Sequence, residues 1–224
     1  MSTIKQLITL METQNGRDKM LRLVVYSSRI AQWVAAKNNV PVPKLEIIDQ
    51  QLTDGRKLFR MFKYIKFIRD LISLQGKPFT VTRFIAQFRL FCLTLLHIHQ
   101  QFMWLAKYKL VTVEDRPALA RRAGFWWLLS LICSHIQNYN EFMNLKRETK
   151  KLASMDDDPS LGEQKMKLIK RRETLYTKII QDSFNTPLSY INSRGLKKDV
   201  GLGFIGLCGT VSSCCSLKLI WPKS

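Results

Sequence analysis

The sequence is poor in acid. Only 17 Asp and Glu offset 36 Lys and Arg across 224 residues, leaving a formal charge of +19 and a pI near 10.0. Such an imbalance calls for a polyanionic partner: nucleic acid, an anionic membrane surface or an acidic protein. The cations are spread over every segment and no finger, basic-zipper or RNA-recognition signature is present, so no nucleic-acid partner is expected. Cysteine is sparse and odd in number. Five thiols without framework spacing are expected to be free, in a reducing compartment. No Asn-x-Ser/Thr sequon occurs. Met1 to Leu10 carries Lys5 and no uninterrupted apolar core, so it is not read as a signal peptide.

Catalytic constellations are missing too. His97, His99 and His135 have no Cys or carboxylate at metal-ligand spacing. Asp156 to Asp158 lacks the Gly and terminal Glu of a calcium loop. Gly201, Gly203 and Gly206 mimic a dinucleotide fingerprint, but no strand pattern precedes them and no acid follows at the right distance. There is no Walker sequence and no nucleophile elbow. We expect no enzyme, no cofactor and no metal. Long apolar runs are also scarce. A mean hydropathy of −0.10 excludes a polytopic carrier and leaves room for one or two spans.

What the chain does contain is amphipathic helix. Met1 to Met11 places Ile4, Leu7, Ile8 and Met11 at helical spacing. Gly16 interrupts, and a second helix is expected over Lys19 to Lys37, with Asp18, Arg22 and Arg29 on its polar side. Asn38 to Pro43 ends it. A third helix is expected to start near Thr53 or Asp54, to run unbroken through Arg56 to Ile72, and to close at Gly76-Lys77-Pro78. Leu58, Met61, Ile65, Ile68 and Ile72 form one stripe on it, with Phe62 at the margin. Arg56, Arg60 and Lys63 lie opposite, and Lys57 and Lys66 occupy the shoulders. Phe59, Tyr64 and Phe67 leave the stripe, which suits rings at headgroup depth. No acid lies between Asp54 and Asp70. A cationic helix with an aromatic-rich apolar side is the pattern of an interfacial membrane helix; a core-facing helix of a soluble domain is the alternative.

Farther on, 17 residues between Arg89 and Lys107 carry no formal charge. His97, His99, Gln100 and Gln101 sit in their middle, which favours a buried helix over a span. Asp115 to Pro117 mark a turn, and Ala123 to Ile136 is a shorter apolar run. From Lys146 to Glu173 the chain is charged and weakly periodic, a solvated linker followed by a helix from about Leu161 to Phe184 that Asn185-Thr186-Pro187 ends. Val200 to Leu217 then gives 18 residues without a charge, flanked by Arg194, Lys197 and Lys198 before and by Lys218 and Lys223 behind. Trp221 stands at the edge. Gly206 with Thr210, and Gly209 with Ser213, are small-xxx-small pairs that admit a second helix closely. Glycines would penalise a helix in water by about 1 kcal/mol each, so this segment is read as a membrane span. Cys214 and Cys215 beside its end are expected to be plain thiols.

The expected architecture is all-α: a membrane-associated helical protein with amphipathic helices and a carboxyl-terminal transmembrane helix. Residues 1–78 form an amino-terminal helical region and 79–145 an apolar helical hairpin. Residues 146–198 form a charged linker and helix, and 199–221 a glycine-rich transmembrane segment.

Four blocks carry a resemblance. Thr13-Gln14-Asn15-Gly16-Arg17-Asp18-Lys19 with Arg22 and Tyr26, Gly55-Arg56-Lys57-Leu58-Phe59-Arg60 with Lys63, Met103-Trp104-Leu105, and Gly206 to Ser213 with Trp221 together resemble the peroxisomal biogenesis factor 11 family. Its members are peroxisomal membrane proteins that elongate and help divide the organelle. The resemblance implies a peroxisomal location with soluble parts facing the cytosol. It also implies partners: copies of the chain itself (a homo-oligomer), a tail-anchored receptor and a dynamin-like GTPase. The membrane-remodelling role would fall on Arg56 to Ile72. There Leu58, Met61, Phe62, Ile65, Ile68 and Ile72 would enter an anionic phospholipid membrane while Arg56, Lys57, Arg60, Lys63 and Lys66 meet its headgroups. The alternative from another class is a pore-forming metabolite channel, with His97, His99, Gln100 and Gln101 lining a pathway.

Overall fold

The computed structural model describes residues 3–76, 78–153 and 161–222. Lys77, Asp156 to Asp158 and Lys223 lie outside the described residues. Within them the chain is all helical: α1 (Thr3–Glu12), α2 (Gln14–Lys37), α3 (Pro43–Phe59), α4 (Lys63–Ser73), α5 (Val81–Lys107), α6 (Arg116–Ala153), α7 (Leu161–Arg194) and α8 (Leu202–Ile220).

Several boundaries differ from the sequence expectation, each for an identifiable reason. α2 begins at Gln14, because extended Thr13 caps it and accepts the Gly16 N–H at 2.9 Å. Gly16 is no breaker. It is the point where α1 crosses the first turn of α2, and a Cβ there would collide with the Leu10 carbonyl. α3 starts ten residues early, since Pro43 initiates as well as terminates: its missing N–H is an orphan in the first turn anyway. α6 is 38 residues long, with Asp115 capping the Ala118 N–H at 2.7 Å. Ala123 to Ile136 is only its middle. α7 runs straight through Pro187 to Arg194. A proline costs a helix about 3 kcal/mol, and here packing outweighs it. Leu188 and Ile191, just beyond the proline, join Ile205 and Cys208 of α8 in the main apolar cluster.

The helices pack as an incomplete ring. α5 lies on α6, α6 on α7, α7 on α8, α8 on α2 and α2 on α3, and the ends of α3 and α5 then meet. α2 and α8 are antiparallel. Gly203 faces Trp33, Gly206 faces Ile30, and Gly209 lies flat against the Tyr26 ring, where no Cβ would fit. The small-residue face, with Ser213 fully buried and Thr210 half-buried, is thus filled by α2 of the same chain. Leu202, Phe204 and Leu207 point outward instead.

The distribution of polarity is inverted relative to a water-soluble bundle. Among the described residues, buried side chains include Asp18, Arg22, Asn138, Asp182, Asn185 and Ser212, whereas Phe84, Phe88, Phe91, Phe125, Ile132 and Ile136 are exposed. Two interior polar clusters satisfy themselves: Arg22 donates to Asn185 (2.6 Å) and Ser212 (2.8 Å), and Ser134 and Asn138 both donate to Asp182 (2.7 and 3.0 Å). A polar interior under an apolar exterior suits lipid as solvent. By length and composition α5 and α8 can each cross a membrane. The buried-helix expectation for the 90–106 stretch therefore holds for one face only: Cys92, Leu96 and His97 are covered, and the aromatic ladder is not.

Gly209→Ala is expected to lower stability by about 1–3 kcal/mol through overpacking against Tyr26. Gly55→Ala, in an α3 position open on all sides, should raise it by roughly 0.5–1 kcal/mol. Unfolding of the two purified variants in detergent measures both signs.

Candidate functional site at the α3–α4 elbow

The stretch expected as one helix from Arg56 to Ile72 is two. Residues 60–62 break it, and Phe62 takes the left-handed conformation (φ 58°, ψ 7°). That costs a non-glycine residue about 1–2 kcal/mol, and neither glycine nor proline lies between Leu58 and Lys63 to demand it. The cause is tertiary. Asp18, 3% exposed at the start of α2, accepts from Arg56 Nε at 3.2 Å and pairs with Arg60 Nε at 3.3 Å. Arg60 Nε also donates to the Arg56 carbonyl (3.1 Å), and its Nη1 to Gln100 Oε1 (3.2 Å). Gln14 Nε2 donates to the Phe59 carbonyl, and the Phe62 N–H donates to Gln101 Oε1 (3.4 Å). Groups that a continuing helix would have used are held from α2 and α5.

Electrostatics at the elbow follow from one buried acid among several cations. Burial pushes the Asp18 carboxyl up, but Arg60, Arg56 and Lys19 prevail and hold it at about 2. Burial, then repulsion from Arg22, pushes the Lys19 ammonium down to about 7. Burial and Arg60 bring Arg56 down to about 10. Lys63 is lowered, by burial first, with Asp18 opposing.

Of the proposed inserting stripe, Leu58, Phe62, Ile65, Ile68 and Ile72 are exposed, at 39–58%, and Met61 is half-buried. The other face of α4 rests on α5, where Phe67 stacks on His97 at 5.3 Å. Phe59 lies under the Arg17 guanidinium at 5.6 Å. Those two rings are packing groups, contrary to the expectation of headgroup-depth aromatics. Arg56 needs the same correction. It is buried and committed to Asp18, so it does not face headgroups. Lys57 pairs with Asp54 at 3.1 Å, Arg60 and Lys63 are half-buried, and Lys66 is exposed. Three of the four polar residues suggested as a pore lining are engaged as well: His99 donates to the Leu95 carbonyl (2.7 Å), Gln100 accepts from Arg60 and Gln101 from the Phe62 N–H. His97 instead stacks under Phe67 with its Nδ1 buried and without a hydrogen-bond partner among the described residues. No group of His, Cys, Asp and Glu among the described residues is placed to hold a metal ion.

The elbow thus joins the two amino-terminal blocks singled out in the sequence, Thr13 to Lys19 and Gly55 to Lys63, through Asp18. Residues 4–221 match the family model described as Peroxisomal biogenesis factor 11. The chain belongs to this family. It is similar to Peroxisomal membrane protein 11-1 of Oryza sativa subsp. japonica, at 26% identity over 62% of this chain and 56% of the relative. It also resembles Peroxisomal membrane protein 11C of Arabidopsis thaliana, at 23% identity over 93% of this chain and 89% of the relative. Peroxisomal membrane protein 11A of Arabidopsis thaliana is 25% identical over 80% of this chain and 76% of its own length. The chain spans little more than half the length of the rice relative and most of the other two. No solved structure matches it. As a peroxisomal biogenesis factor 11 protein it is a peroxisomal membrane protein, in keeping with α5, α8 and the apolar exterior.

Asp18→Asn or Arg56→Met alone should cost about 3–5 kcal/mol, because each strands a buried charge, and the double variant should cost less than their sum. The pH dependence has two windows. Asp18, depressed in the fold, contributes stability that is complete above its ordinary value of 3.8 and is lost as pH falls toward about 2. Lys19, also depressed, makes the fold prefer the neutral amine, so stability should climb from about pH 7 toward 10.5. Denaturation of wild type and a Lys19→Met variant across pH separates the two.

Proposed function

We propose that the protein curves and elongates the peroxisomal membrane, and so promotes division of the organelle, by pressing the outward stripe of the elbow into one leaflet. The observation that carries this reading is the exposure of Leu58, Phe62, Ile65, Ile68 and Ile72 on a segment whose opposite face is anchored to α2 and α5. In water such a stripe is a liability. At a bilayer it would sit about 5–10 Å deep.

The position of the stripe in the fold supports this reading. Asp18 holds the elbow at the amino-terminal end of α2, which lies against the carboxyl-terminal half of α8. α1 is tied to the same end: Gln6 Nε2 donates to the Pro222 carbonyl (3.0 Å), and Trp221 Nε1 donates to Gln6 Oε1 (3.3 Å). α1 exposes its own apolar face there, Ile4, Leu7, Ile8 and Met11. With α8 in the bilayer and Trp221 at its surface, both apolar faces meet the same leaflet. Lys66 and the partly free Lys57, Arg60 and Lys63 then lie near anionic headgroups, each contributing about 1 kcal/mol, less in salt. Insertion into one leaflet alone expands it relative to the other and favours a tubule. Copies of the chain gathered side by side, together with a tail-anchored receptor and a dynamin-like GTPase, would complete division from the cytosolic side.

Full-length protein carrying Leu58→Glu and Ile65→Glu, reconstituted in anionic vesicles, is expected to lose tubulation while remaining in the membrane pellet after alkaline carbonate. Electron microscopy of the vesicles reads the first, sedimentation the second. Undiminished tubules with the double variant would remove the wedge.

A further inference from the structure

The elbow gathers more positive charge than it answers. Lys19 and Arg22 of α2, Arg56 of α3, Arg60 in the bend and Lys63 of α4 all act on Asp18. Arg56 and Arg60 take its carboxylate, at 3.2 and 3.3 Å. Lys19 stays 4.0 Å away, beyond hydrogen-bond reach. Arg22 is held by Asn185 and Ser212, which bring no charge. Lys63 makes no side-chain hydrogen bond or ion pair among the described residues, and the cations around it are Arg60, Lys66 and Arg56. One carboxylate thus serves five cations, and the two ammonium groups are left over. Burial and Arg22 bring Lys19 down to about 7, as expected of an amine that lacks a counter-charge.

A third unanswered group borders them. His97 of α5 is 7% exposed and stacks on Phe67, one turn along α4 from Lys63. Its Nδ1 is buried without a hydrogen-bond partner among the described residues. The charges that act on this ring are those of Lys63, Arg60, Asp18 and Lys19. An orphaned ring nitrogen and two unpaired ammonium groups, on three different helices, call for one anion with several acceptor oxygens. A phosphomonoester has them: three free oxygens and nearly two negative charges at neutral pH. A phosphodiester or a carboxylate offers one charge on two free oxygens and would leave a donor unanswered. The cluster is reached from outside, since Lys19 keeps 21% of its side chain accessible and Lys63 is half-buried.

We propose that Lys19, Lys63 and His97 Nδ1 bind a phosphomonoester, carried by a lipid headgroup or by a soluble phosphate. Bound there, the anion joins α2, α4 and α5 and returns Lys19 to full charge. The lipid source rests on the elbow facing the membrane, as proposed above; the soluble source does not. Exposed Lys66 attracts any anionic surface, whereas this site selects one kind of headgroup.

The test is isothermal titration calorimetry of full-length protein in a neutral maltoside detergent at about 0.15 M salt. Short-chain phosphatidic acid, a monoester, should bind saturably and about tenfold or more tighter than phosphatidylglycerol of the same chains. Lys63→Met, which strands no partner, should weaken the monoester by about tenfold or more, and Lys19→Met likewise. His97→Phe keeps a ring against Phe67, removes Nδ1 and should weaken it too. Lys44→Met, at an exposed lysine in the first turn of α3, should leave it within about twofold. Absent monoester binding, equal affinity for the two lipids, or binding unchanged in both Lys19→Met and Lys63→Met overturns the proposal. Inorganic phosphate that displaces phosphatidic acid supports the site and assigns it a soluble ligand. Phosphatidic acid that binds while phosphate does not supports it and assigns a lipid. The Leu58→Glu, Ile65→Glu variant separates site from wedge. Tubulation lost in that variant, with no monoester preference in wild type, faults the site alone. Monoester preference with undiminished tubules faults the wedge alone.

Discussion

One buried carboxylate organises the amino-terminal half. Asp18 has almost no contact with solvent, and a charge so placed must be answered by charges brought to it. Arg56 and Arg60 come from the last turn of α3 and the residues after it, and satisfying both ends the helix there. The backbone strain at Phe62 is small beside the cost of an unpaired Asp18. Bent in this way, the chain lays α4 along α5, with Phe67 toward the protein and the isoleucines away from it. The outward stripe is a consequence of an ion cluster on the opposite side of the segment.

A second constraint runs through the whole ring. Polar groups are gathered inside and matched to one another, as in the Arg22, Asn185 and Ser212 contacts and the Asp182 cluster, while aromatic and branched side chains cover much of the outside. In water this arrangement would be expensive on both accounts. In hydrocarbon the outside costs nothing and the inside is tolerable because the groups of these two clusters have found partners. The glycines of α8 belong to the same logic, for they let Tyr26 and Ile30 approach closely enough to seal Arg22 from lipid.

Helices were readable from periodicity wherever one face was plainly apolar. The fold class, the stop after Lys37, the Gly76 turn and the apolar stretch of α8 all followed from local chemistry. The stripe from Leu58 to Ile72 was legible as a pattern, but its division was not, because the break is dictated by residues about forty positions away. Asp18 gave a hint, being the lone acid on the polar side of α2 amid cations, yet nothing local told which arginines it would claim. Pro43 and Pro187 were misread in the same way: a proline's local preference admits two outcomes, and distant packing chooses between them. The partner of Gly206 and Gly209 was open too, since a small-residue face announces close approach and not the identity of the approaching helix.

The seam between α2 and α8 also bears on how the chain acquires its shape. Arg22 and Ser212 are separated by 190 positions, and every turn of the seam pairs the early part of the chain with the late part. Contacts so remote are slow to find and unrewarded until α8 has been made. Until α8 arrives, Arg22 lacks its Ser212 partner, whereas Asp18 can already meet Arg56 and Arg60. The nascent chain therefore depends on α8 to cover Arg22 of α2, and premature contact of that arginine with lipid is the error its assembly has to avoid.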